Sequence, residues 1–142
     1  KGAEWQRALL LFGALGEAGN PVDVISYNAV LQSVCSHPHG KPLFGEALTK
    51  GLYDRVYWKG EGFLDLHGLS PGAAWEAVKR HFQVMALGGK FSSSRSKSRS
   101  RKSMKLITGW GKHRKAWSSS DLKTFVCNRL DEQRVQWCMV NK

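Results

Sequence analysis

Apolar side chains recur along this chain with two different periods. Over residues 3–18, Trp5, Ala8, Leu9, Phe12 and Leu15 fall on one side of a helical wheel, and Gly16 with Gly19-Asn20-Pro21 ends the run. Asp23 is placed to cap a second helix over 24–36, with Tyr27, Val30, Leu31 and Val34 facing inward. The turn-rich stretch His37-Pro38-His39-Gly40-Lys41-Pro42 breaks it. A third helix is predicted over 43–52, presenting Leu43, Phe44, Ala47 and Leu48. Past Gly62 the period shortens to two. Phe63-Leu64-Asp65-Leu66-His67-Gly68-Leu69-Ser70 reads as a strand, with Leu64 and Leu66 on one face and Asp65 and His67 on the other. Gly68 stops the strand. Ser70-Pro71 then has the signature of a helix start, a hydroxyl cap followed by proline at the first helical position.

That helix should run over 70–87, bury Ala74, Ala77, Val78, Phe82, Met85 and Ala86, hold Trp75, Lys79 and Arg80 at its margin, and close at Gly88-Gly89. Residues 104–108 read as a second strand. Ser118 to Asp121 can cap a last helix that carries Leu122, Phe125, Val126 and Leu130. Residues 134–140 alternate as a final strand with Val135, Trp137 and Met139 on one face. The expected class is therefore α/β: three N-terminal helices followed by a small two-layer βαβαβ sandwich. Between them, 53–61 is a connector whose Tyr53, Tyr57 and Trp58 are expected to pack the two parts together rather than to stack on bases.

Composition adds a partner class. The 142 residues contain 22 Lys and Arg against 11 Asp and Glu, a net charge of +11, which suits a polyanion. Ser92 to Ser103 holds only seven Ser, three Arg and two Lys, so 91–104 is expected to be a disordered basic insertion, either an arm for phosphates or a tolerated surface loop. Three cysteines with no paired spacing argue for a reducing compartment, and Cys35-x-His37-x-His39 fits no zinc pattern. No apolar run approaches the ~20 residues of a membrane span. The chain opens without methionine inside an amphipathic pattern, and both ends are expected to be cut from a longer protein.

Two stretches carry candidate chemistry. Asp65 and His67 bring a carboxylate and an imidazole to the end of a strand, beside a helix N-terminus, where they could act as base and acid on a phosphate ester or orient water or a metal. About forty residues later, Lys105-Leu106-Ile107-Thr108-Gly109-Trp110-Gly111-Lys112-His113-Arg114-Lys115 runs from a short strand through a glycine turn into a basic cluster. Glycines there let backbone N–H groups approach a phosphate, Thr108 adds a hydroxyl, and Trp110 could stack on a base.

Together the LDLHG and TGWG stretches resemble the Smr (small MutS-related) domain, over 62–142. Upstream, Ala8-Leu9 to Phe12 and Asn20-Pro21-Val22-Asp23-Val24-Ile25-Ser26-Tyr27-Asn28-Ala29-Val30 resemble pentatricopeptide (PPR) repeats, over 1–52. The resemblance implies RNA binding in chloroplast or mitochondrion, with Asp65 and His67 assigned to cleavage. Thr108, Gly109 and Gly111 carry over as nucleic-acid-binding residues, and Trp110, Lys112, His113 and Arg114 join them by their own chemistry, a stacking ring and added charge. Asn28 and Asp23 fall where the repeat family places base-reading residues; helix capping is the plain alternative for both. The proline sits one residue earlier than the usual repeat pattern and the register is lost after Gly51, so no base assignment follows. The expected partner is single-stranded RNA, with DNA as a further candidate, no membrane and no small-molecule cofactor. The cofactor is left open, a divalent metal such as magnesium being the candidate. Four functions compete: an Smr-type RNA endonuclease, a non-catalytic module for RNA processing, stability or translation, a DNA-nicking domain, and a protein-interaction scaffold.

Overall fold

A computed structural model of the chain describes residues 4–60, 62–86, 103–108 and 122–139. In chain order these form α1 (Glu4–Glu17), α2 (Val24–Ser33), α3 (Gly40–Thr49), α4 (Asp54–Tyr57), β1 (Phe63–Asp65), α5 (Pro71–Ala86), β2 (Lys105–Ile107) and α6 (Leu122–Glu132). The architecture is helix-rich α/β. Its sheet, among the described residues, consists of β1 and β2 paired in parallel, with Phe63 opposite Lys105, Leu64 opposite Leu106 and Asp65 opposite Ile107.

Local signals account for most boundaries. Asp23 caps α2, its carboxylate accepting from the Ser26 N–H and Oγ at 2.9 Å each, and these bonds hold its pKa below the usual 3.8. The Ser70 hydroxyl accepts from the Ala73 N–H at 3.2 Å, so the cap-then-proline start of α5 is formed. Helix α3 begins three residues before the sequence suggests, because Gly40 and Pro42 fit its first turn, where no intrahelical N–H partner is needed.

Helix α1 packs on α2 through Trp5, Leu9 and Phe12, the Phe12 ring meeting Tyr27 edge-on at 4.8 Å. Leu15, expected on the inner face, is exposed, along with Leu10 and Leu11.

Helix α5 departs most from its expected face. Trp75 and Glu76 are as buried as Ala73, Ala74, Ala77 and Val78, whereas Phe82 and Met85 are only partly covered. The cause is packing on several sides: the N-terminal half of α5 lies against α2, α3 and α6 at once. A single apolar cluster follows, running from Tyr27, Leu31 and Phe44 through Tyr53, Leu64 and Leu66 to Ala74, Trp75 and Leu122. The Glu76 charge is met by Lys79 Nζ at 2.6 Å.

The final strand expected over 134–140 is corrected: residues 134–139 form none. After α6 the chain turns back on its own helix. Arg134 adopts φ +55°, the Val135 N–H donates to the Leu130 carbonyl at 2.9 Å, and the Trp137 indole donates to Asp131 at 2.8 Å. Those bonds hold the segment at α6 instead of on a sheet edge. The third strand of the βαβαβ order is therefore missing among the described residues.

Helices α2 and α5 approach closely at Gly72. Its N–H donates to Gln32 Oε1 at 2.8 Å, and a Cβ there would run into the Leu31 carbonyl and the Gln32 backbone. Gly72→Ala should therefore destabilise the fold by about 1–3 kcal/mol, read as a lower urea midpoint at unchanged slope. Gly13→Ala, in a helix interior where a Cβ meets nothing, should be neutral or stabilising by up to about 1 kcal/mol in the same titration.

Candidate active site

The site is built where the two parallel strands end. Parallel pairing carries the C-terminal ends of β1 and β2 to one edge of the sheet, the edge where open α/β sheets place their ligands. The Leu66 N–H donates to the Ile107 carbonyl at 2.8 Å, so the pairing holds up to that edge. His67 follows β1 and Thr108 follows β2. The two motifs thus meet at the same end, as far as Thr108; Gly109, Trp110, Gly111, Lys112, His113 and Arg114 lie outside the described residues, as do residues 91–102 of the basic stretch.

Asp65 and His67 form a hydrogen-bonded pair through Asp65 Oδ1 and His67 Nδ1. Their settings differ sharply: the Asp65 side chain is 4% exposed and the His67 side chain 47%. Asp65 also accepts from the His67 N–H at 3.3 Å, and its second oxygen accepts from the Trp58 indole N–H at 3.2 Å. Burial pushes the Asp65 pKa up, but the donors from the His67 ring, the Trp58 indole and the His67 backbone outweigh it and hold the carboxyl below its usual 3.8. An ionised carboxylate accepts only, so Nδ1 of His67 carries the proton. Whenever the ring is neutral, Nε2 is therefore its lone-pair nitrogen. The division of labour follows: Asp65, covered and engaged at both oxygens, orients, while His67 is the group able to exchange a proton with a ligand.

Asn28 is held within the fold. It reaches from α2 to the loop after β1 and is engaged at every polar group on that side: Nδ2 donates to the Gly68 carbonyl at 3.2 Å, Oδ1 accepts from the Tyr53 hydroxyl at 3.0 Å and the Ser70 N–H at 3.3 Å, and its carbonyl accepts from the Ser70 hydroxyl at 2.8 Å. Gly68 takes φ +79°, a conformation glycine adopts without strain, and Asn28 pins it there, next to His67. Asp23 is occupied as the α2 cap. The two residues expected to read bases therefore act within the fold, at the α2 N-terminus and at the dyad's loop.

Sequence reasoning weighed Trp58 only for packing or stacking and missed its bond to Asp65, and it missed the bracing role of Asn28. Neither has a local signal, since Trp58 lies seven residues before Asp65 in a connector and Asn28 lies forty residues before Gly68. His37 and His39, set aside as zinc ligands, instead stack with each other at 4.8 Å, and His37 stacks on Trp5 at 4.1 Å. Among the described residues, no group of three or more His, Cys, Asp or Glu could hold a metal ion. Asp65 is the one carboxylate of the pair and already accepts three hydrogen bonds, so Asp65 and His67 by themselves are a poor donor set for a divalent cation such as magnesium. No described helix is long and apolar enough to cross a membrane.

No family model, curated protein or solved structure matches the chain.

The lowered Asp65 pKa has a signed consequence. The unfolded chain binds this proton at higher pH than the folded one, so the stabilisation is complete above the unfolded carboxylate value and is lost as pH falls through the folded value below 3.8. Urea midpoints measured at successive pH values should fall along that acid limb, and Asp65→Asn should remove this part of the slope. Separately, Asn28→Ala leaves the buried Tyr53 hydroxyl without its acceptor and should cost about 1–3 kcal/mol in the same measurement.

Proposed function

We propose that this chain belongs to a PPR–Smr protein and that its Asp65–His67 pair cleaves single-stranded RNA. The observation that supports the reading is the pair itself: a covered, ionised carboxylate fixing one nitrogen of a half-exposed imidazole, at the strand edge that also carries Thr108. The helical first part and the parallel β1–α5–β2 unit are compatible with the repeat and Smr architectures, and the net charge of +11 suits a phosphate backbone. The resemblance puts the protein in a chloroplast or mitochondrion.

In this mechanism His67 Nε2 takes the proton of the oxygen that attacks phosphorus, the bond from phosphorus to the departing oxygen breaks, and that oxygen takes a proton from water. Asp65 holds the ring in the tautomer that makes Nε2 basic and stabilises the imidazolium that forms. Thr108 and the basic glycine turn contact phosphate oxygens. Catalysis and binding therefore reside in different groups, which makes them separable.

The test measures cleavage of end-labelled single-stranded RNA by the whole chain, alongside binding of the same RNA by anisotropy. His67→Ala should lower cleavage by about 10²–10⁴-fold, the usual worth of a general base, with affinity changed only a few-fold. Asp65→Asn, which offers Nδ1 an amide in place of a carboxylate, should lower cleavage while binding persists. An intact chain that binds RNA with a steep salt dependence yet never cuts it would replace this reading with the non-catalytic module.

A further inference from the structure

We propose that Trp58 is the base-stacking residue of the Asp65–His67 site, holding an unpaired nucleobase on its open ring face while its indole N–H positions Asp65. The proposal rests on the single-stranded RNA reading above and adds the part of the nucleotide that the site grips.

Trp58 combines two properties rarely found together. It is 63% exposed, although its neighbours Tyr53 and Val56 in the same segment are buried in the core. It is nonetheless tethered, at the C-terminal end of α4, by the 3.2 Å bond from Nε1 to Asp65 Oδ2. An exposed indole without a tether samples several rotamers and loses that freedom when a ligand lands on it. Here the edge is fixed and the ring is largely exposed, with Lys59 Nζ over one face, so the ring is oriented before anything binds.

Its location gives the platform a purpose. Trp58 and His67 bond to opposite oxygens of one carboxylate, so the stacking ring and the proton-exchanging nitrogen flank the same group. A nucleotide whose phosphate lies at His67 has its base within reach of Trp58. Lys59 adds a cation 5.2 Å from the ring centroid, a charge available to the next phosphate along the strand. A base can stack there only if it has left a duplex, so the geometry favours single strands over paired ones. Every base has a π-face, so the contact selects strandedness and not sequence.

The experiment uses the whole chain and a short fluorescein-labelled RNA carrying 2′-O-methyl groups, compared with the same strand made abasic. Trp58→Ala should weaken binding of the base-containing strand by about 5- to 150-fold. It should leave the abasic strand bound as the wild type binds it. Trp58→Phe keeps a ring and should retain most of the affinity. It lacks the N–H, so the Asp65 carboxyl followed by NMR should titrate at higher pH than in the wild type. If Trp58→Ala does not fold, Trp58→Leu, apolar but without a π-face, takes its place. Equal binding of the base-containing strand by wild type and Ala or Leu variant overturns the stacking role. An unchanged Asp65 titration in Trp58→Phe overturns the positioning role. Because this RNA is read by binding, a chain that never cleaves yet binds through Trp58 sinks the nuclease reading alone. A chain that cleaves but ignores Trp58 sinks this proposal alone.

Discussion

The close approach of α5 to α2 at Gly72 is the constraint on which the rest depends. Two helix backbones meet there without an intervening side chain, and the Gln32 amide spans the contact to the first turn of α5. Since α5 begins immediately after the loop that carries His67, fixing its first turn fixes the loop. Asn28, one helical turn earlier on α2, completes the hold through Gly68 and Ser70. The helical half of the chain therefore serves as a jig for the motif half. The acid–base pair owes its geometry to residues that would be counted as belonging to a different segment.

The same arrangement explains why one carboxylate and one imidazole, two residues apart, take unlike roles. Both leave a strand end, but Asp65 falls under α4 and its indole while His67 emerges past the last ladder bond. Burial alone would raise the pKa of an aspartate; three donors converging on it reverse that direction. A charged, covered group then dictates the tautomer of an uncovered one. The shape of the site is thus set by where the apolar cover ends, a property of tertiary packing and not of the motif.

What the sequence made legible was whatever is decided locally. The cap at Asp23, the Ser70-Pro71 helix start and the two strands at the motifs follow from spacing and from backbone preferences that neighbours do not overrule. The sequence sets Trp75 at a margin and leaves Glu76 off the buried face because a helix wheel assumes one such face, and α5 has several packed neighbours. Trp137 and Met139 alternate as a strand should, yet a strand exists only where an edge accepts it, and the turn after α6 binds that segment first. Asn28 looks like a recognition residue by position and Trp58 like packing by composition; only the hydrogen bonds that reach forty and seven residues along the chain reverse those readings.

The parallel ladder joins Leu64 to Leu106 across the whole α5 crossover. Closing such a span costs conformational entropy that grows only with the logarithm of its length, about 0.6 kcal/mol for each doubling. The crossover can therefore gain or lose residues with little penalty to the paired strands. A serine-, arginine- and lysine-only stretch in that stem could lengthen or shrink through evolution while the edge it leads to keeps its register.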